Sequence, residues 1–243
     1  MKVSPAVANT ASRQPMLAER IARLYAQTGR DVLAVRAQRA LPMAVREFET
    51  GLKGLLAAAA PWPEARENYR LLELLWAGYQ PVVLRPAGVE GAERLLERHE
   101  EVAWIAAKGA RLVRDPGDRR EDPLREAGEA RLQSQRIARL HLFRGWGTRS
   151  RNLAAELRSS NEAFRKSMDA LAASQRAAPE AASELALAEN QYSFLKEAAR
   201  RLESAPDPRP ELEAVAKTCD NILEVLDRVA KACEAAAQAA EPS

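Results

Sequence analysis

The stretch Arg20-Ile21-Ala22-Arg23-Leu24 returns as Arg136-Ile137-Ala138-Arg139-Leu140, 116 positions further on. The same ungapped offset pairs Ala11 with Ala127, Gly29 with Gly145, Phe48 with Phe164 and Leu55 with Leu171. It also pairs Leu71 with Leu187, Glu73 with Glu189, Trp76 with Tyr192 and Leu96 with Leu212, and sets Pro63-Glu64-Ala65 on Pro179-Glu180-Ala181. Two runs, an aromatic, a proline and a glycine in one register read as an internal duplication. A duplicated chain must build the same supersecondary unit twice. That constraint precedes any reading of single residues.

The 243 residues suffice for two domains of ordinary size. The expected units are 1–116 and 117–243, with the boundary at the helix-breaking Asp115-Pro116-Gly117-Asp118 and the charged stretch Arg119 to Asp122 behind it. Ala, Leu, Arg and Glu dominate, and β-branched and aromatic residues are few, which favours helix.

Each half reads as four helices. In the first they run over about 8–26, 32–60, 63–79 and 89–113. Val45, Phe48, Leu52, Leu55 and Leu56 are spaced to share one helical face, and Leu71, Leu72, Leu75, Trp76 and Tyr79 form another stripe. Pro42 is expected to kink or split the second helix, and Pro81 to break the third. In the second half the helices run over about 123–143, 149–174, 180–202 and 211–240, with the proline-rich 205–210 before the last. The tail 241–243 is expected to fray. Short loops between amphipathic helices imply an all-α chain of two tandem up-down-up-down four-helix bundles, able to pack about a pseudo-two-fold axis as a homodimer would.

The 37 basic and 34 acidic residues are interleaved, as in Glu97-Arg98-His99-Glu100-Glu101, which reads as a solvated helix surface and not a nucleic-acid footprint. Cys219 and Cys233 fall 14 positions apart on one expected helix, roughly 21 Å by the helical rise, too far to bridge each other. No apolar run approaches a membrane span, and Met1 to Thr10 lacks a signal-peptide core. No zinc spacing, phosphate loop, HExxH or GxSxG element occurs, so neither an enzyme nor a metal or cofactor is expected. Glu64, Glu67, Glu73 and Glu97 are expected on solvated faces, His141 as a packed helix residue, Trp76 in the core, and Trp146 as a cap on a bundle end.

The first helix of each half is different. Arg13, Arg20, Arg131, Gln133, Ser134 and Arg136 interrupt its apolar pattern, offering donors within a few turns of one another. Arginine's planar fork of donors suits a planar oxyanion. The alternative for these residues is ion pairing with the many glutamates.

At these residues the chain resembles the N-terminal domain of type IV pilus methyl-accepting chemotaxis transducers, a module similar to the periplasmic sensors of nitrate/nitrite kinases. That family's first helix carries a motif close to Ala-Gly-Arg-Gln-Arg-Met-Leu-Ser-Gln-Arg-Ile-Ala-Lys. Ala127-Gly128, Arg131 and Ser134-Gln135-Arg136-Ile137-Ala138 match it in the second half; Ala11, Arg13-Gln14, Met16-Leu17 and Arg20-Ile21-Ala22 match it in the first. Arg131-Leu132-Gln133-Ser134-Gln135-Arg136 is also close to the nitrate sensors' Arg-Met-Gln-Ser-Tyr-Arg, and 222–229 resembles part of the family's last helix. The resemblance implies a non-enzymatic sensing module for a small anion or metabolite, nitrate or nitrite among them, acting through a signalling partner protein. It implies a periplasmic or exported location if a leader has been removed, and a cytoplasmic one otherwise. The anion-binding arginine of the nitrate sensors falls on Arg131, and in the first half on Pro15, so one arginine stands where a dimer supplies two. Pro15 also predicts a kink in, or a later start of, the first helix. The competing expectation is a structural or protein-interaction bundle that has lost the ligand.

Overall fold

In a computed structural model describing residues 3–113, 122–144, 146, 152–174 and 181–239, the chain is all-helical, with no extended strand among these residues. Eight helices follow in order: α1 Pro5–Gly29, α2 Ala34–Ala58, α3 Pro63–Val83, α4 Val89–Leu112, α5 Pro123–Phe143, α6 Leu153–Ser174, α7 Ala182–Leu202 and α8 Arg209–Ala239. The expected boundary at 115–118, the expected starts at Arg149 and Glu180, the matches at Gly145, Pro179 and Glu180, and the tail lie outside the described residues.

Local chemistry explains the starts. Ser4 caps α1 by accepting from the Val7 amide, Asp122 caps α5 by accepting from the Arg125 amide, and each is followed by a proline that needs no helical donor. Pro63 opens α3 in the same way. The entry to α2 is tighter, with Asp31 and Leu33 at positive φ of 55° and 49°.

The prolines within helices do not end them. Pro42 does not split α2, Pro81 lies inside α3, and α1 runs through Pro15 from a start earlier than expected. A proline costs its helix one backbone bond and a clash with the preceding turn. Here long helices buried on their neighbours offset that local loss. Leu71 is another departure: it is 41% exposed, one helical step off the buried stripe of Tyr69, Leu72, Trp76, Tyr79 and Val83.

α1 packs on α2 and α4, and α3 packs on α4; α5 packs on α6 and α8, and α7 packs on α8. α1 and α5 pack on each other, and their contacts climb together: Ser12 meets Gly128, Glu19 meets Arg139, and Arg30 donates to the Leu142 and Arg144 carbonyls. The two helices therefore run parallel. Two apolar clusters result, one mostly of α1–α4 and one of α5–α8. Phe48 stacks on Trp76 with ring centres 4.1 Å apart, and 116 positions on Phe164 meets Tyr192 at 4.5 Å. Trp146 is 9% exposed and packs on Tyr25 and Phe143, in keeping with its expected capping place. Both cysteines are free thiols on α8.

The α1–α5 approach is close enough that a Cβ on Gly128 would lie 2.8 Å from Ser12 Cβ, whereas Gly54, exposed near the C-terminal end of α2, has open space around it. Gly128→Val is expected to lower the melting temperature by several degrees by forcing the two central helices apart. Gly54→Ala is expected to raise it by roughly 2–4 °C, about 1 kcal/mol gained by relieving the helical glycine. Thermal denaturation of both variants reads the contrast.

Candidate functional site

Because α1 and α5 each touch several helices, their polar residues are buried too. Buried charges must be partnered, since an uncompensated ion in the interior costs several kcal/mol. Some partners come from the same half of the chain and others from the opposite half.

At one end of the seam, Arg131 is 1% exposed. Its Nη1 donates to Asp227 Oδ1 at 2.9 Å, and its Nη2 to Asn9 Oδ1 at 2.7 Å and Ser12 Oγ at 3.1 Å. Arg13 Nη1 donates to the same Asp227 oxygen at 2.7 Å, and the rest of its fork holds Glu47. Burial pulls the pKa of Arg131 down against the opposing charge of Asp227. Burial acts on Arg13 as well, but Asp227 and Glu47 more than offset it and raise its pKa. One carboxylate oxygen thus serves both arginines. A cleft of about 440 Å³ opens beside it, lined by Asn9, Arg13, Asp227, Lys231 and Glu234.

At mid-seam, Glu19 of α1 meets Arg139 of α5, both 3% exposed at the side chain. His99 Nε2 lies 3.2 Å from the same Glu19 oxygen, and His99 Nδ1 lies 3.1 Å from Tyr79 Oη. Burial alone would raise the Glu19 pKa; Arg139 first, then His99, hold it well below the usual carboxylate range. Arg139 also approaches Glu100 of α4 at 3.7 Å. Arg23, 116 positions before Arg139, makes the reciprocal reach, to Asp220 at 2.5 Å and the Ala216 carbonyl at 3.1 Å on α8. Ala216 lies 116 positions after Glu100.

Of the six residues expected at the site, the structure joins two, Arg131 and Arg13. Gln133 donates to Glu129 at 2.7 Å, and Ser134 to the Arg131 carbonyl at 2.8 Å, both on their own helix. Arg136 is half-buried and 4.0 Å from Glu156 on α6. Arg20 is half-buried on α1, its pKa lowered by burial and by Arg23 against the pull of Asp220, Glu47 and Asp227. The partners Asp227, Asn9 and Ser12 escaped sequence reasoning, as did the group of Tyr79, His99, Glu19 and Arg139. One signal for the latter was in view: the second arginine of the repeated pentapeptide sits inside an apolar run in both copies.

Among the described residues no group of three or more His, Cys, Asp or Glu side chains could hold a metal, and no helix is long and apolar enough to cross a membrane. Glu64, Glu67, Glu73 and Glu97 are exposed, while His141 and Trp76 are buried, as their sequence positions suggested. Comparison of the chain with family models, curated proteins and solved structures returned no match.

Two outcomes follow. Glu19→Leu and Arg139→Met are each expected to cost about 3–5 kcal/mol, because each strands a buried charge. The double variant is expected to cost less than either single one, a non-additivity that denaturant unfolding of the full cycle measures. Separately, burial, then Arg144, pushes the His141 pKa down from 6.5 to about 4. The unfolded chain therefore takes up this proton before the folded one does. Its contribution is complete above pH 6.5 and is lost as pH falls toward 4, about 3 kcal/mol in all. The melting temperature of His141→Gln should therefore fall less steeply across that window than that of the unsubstituted chain.

Proposed function

We propose that the chain is a non-enzymatic interaction module of two tandem four-helix bundles, 1–116 and 117–243, whose ancestral ligand seam has become an internal ion-pair seam. The observation that carries this reading is the environment of Arg131. The arginine that matches the anion-binding position of the nitrate sensors is already engaged by a carboxylate, an amide and a hydroxyl of its own chain. Asp227 takes the place of the anion, and Arg13 supplies the second guanidinium that Pro15 does not. The tandem arrangement is supported by the matching order of four helices on each side of the expected boundary, by the aromatic pairs 116 positions apart, and by the reciprocal reach of Arg23 and Arg139 into the opposite half.

A second reading, sensing of a small anion with the signal passed to a partner protein, has one observation in its favour. The cleft beside Arg13, Asp227 and Lys231 gives an anion a route to the seam. An exported location belongs with that reading, by resemblance to the periplasmic sensors.

Thermal-shift titration separates the two. In nitrate, nitrite or acetate the unsubstituted chain is expected to melt as it does in chloride of equal ionic strength. Asp227→Ala, which removes the carboxylate and leaves its space empty, is expected to melt lower and to regain part of the loss in acetate or nitrate. A saturable rise in the unsubstituted chain with nitrate or nitrite, abolished by Arg131→Ala, establishes sensing instead; at 100 times Kd it would be worth about 2.7 kcal/mol.

A further inference from the structure

The second half holds a cleft of about 880 Å³ between α5, α6 and α7. Its floor is apolar and buried: Ile137, Tyr192 and Leu195, with Leu157 and Ala199 half-buried at the sides. Its rim carries the exposed cations Arg144, Arg158, Arg165, Lys196 and Arg200 against the acids Glu162 and Glu203. Arg158 and Arg165 form no ion pair among the described residues, and Lys196 rests over the Tyr192 ring at 5.2 Å. His141 lines the cleft at 6% exposure, and its Nδ1 has no hydrogen-bond partner among the described residues. A buried ring nitrogen left open is costly unless something meets it.

The first half provides an internal control. The positions 116 earlier than His141, Tyr192, Leu195 and Ala199 hold Tyr25, Trp76, Tyr79 and Val83, each larger and each buried. Tyr79 there is tied to His99, and Trp76 Nε1 donates to Glu49 at 3.1 Å. The residue 116 after Glu49 is Arg165, and those after Pro42, Gln80 and Leu84 are Arg158, Lys196 and Arg200. The second copy thus has smaller side chains in its interior and cations at the mouth.

We propose that this cleft binds an amphipathic anion, a carboxylate with a medium-length apolar body. The body lies on Ile137, Tyr192 and Leu195, the carboxylate lies among Arg158, Arg165 and Lys196, and His141 meets a polar atom within. Apolar burial gives such a ligand its affinity, and the few polar groups fix its orientation. The site shares no residue with the seam around Arg131, so it stands or falls apart from the reading given above.

The probe is decanoate, titrated calorimetrically below its micelle concentration into the full chain, with decanol and acetate as the partial ligands. Saturable binding of one decanoate per chain is expected, with each partial ligand at least tenfold weaker. Arg165→Glu combined with Lys196→Glu should weaken decanoate at least tenfold while the melting temperature holds. Leu195→Tyr combined with Ala199→Val, which restores the first-copy residues, should abolish binding in a chain that still melts cooperatively. No saturable binding to the unsubstituted chain overturns the proposal. So does equal affinity for decanol, or undiminished binding in whichever of the two double variants folds. Binding to anionic vesicles without binding to free decanoate also overturns it, by making the basic rim a membrane-facing patch.

Discussion

The contact between Glu19 and Arg139 sets the terms for everything around it. Both ions are removed from water, and their attraction offsets the desolvation of each only when the geometry is held closely. One lies on α1 and the other on α5, so the pair fixes the register of the two central helices. Apolar packing alone tolerates sliding of one helix past another; a buried ion pair does not, because a shift of one turn strands two charges. The small residues at Ser12 and Gly128 let the helices come close enough for the pair to form. His99 and Tyr79 then extend the same network into α4 and α3, so four helices share one polar constraint.

The polar network is not repeated. The residues 116 positions on from Tyr79, His99 and Glu19 are Leu195, Val215 and Gln135. An amide replaces the carboxylate, and Arg23, which corresponds to Arg139, turns to Asp220 on α8. Two identical subunits about a true two-fold axis would have to carry the same pair twice, or neither. A single chain is free to differ between its halves, and it does so at two places along the seam. Arg131 and Pro15 differ at one end, Glu19 and Gln135 in the middle. The first half holds a buried polar core, while the second half has smaller side chains and a basic rim at the aligned positions.

Much of the architecture was legible because it depends on local signals. Apolar spacing and the helix-stopping prolines and glycines placed the eight described helices to within a few residues, and the 116-residue offset aligns the two aromatic pairs that the structure brings together, Phe48 with Trp76 and Phe164 with Tyr192. Helix ends expected at prolines are where tertiary burial overrides the local signal. Pro15, Pro42 and Pro81 carry a local penalty in any helix, yet each sits in one whose flanks are buried on neighbours. The site was legible only in part. Arg131 could be singled out because it interrupts an apolar face, but nothing near it in sequence points to Asp227, 96 positions away, as its partner. Helical periodicity tells which residues face inward. It does not tell which inward charge meets which, since that depends on how helices distant in sequence cross.

The internal carboxylate changes what the seam can do. Asp227 is delivered to Arg131 and Arg13 by a folded helix, so its effective concentration at the guanidinium pair exceeds the millimolar order that even a short flexible tether provides. A free anion must displace it, and must also leave Asp227 with a place to go. Such an anion competes well only where the protein changes shape, for instance by moving α8 away from α1. A seam of this kind is held shut by its own chain, and opening it requires work on α8 from outside.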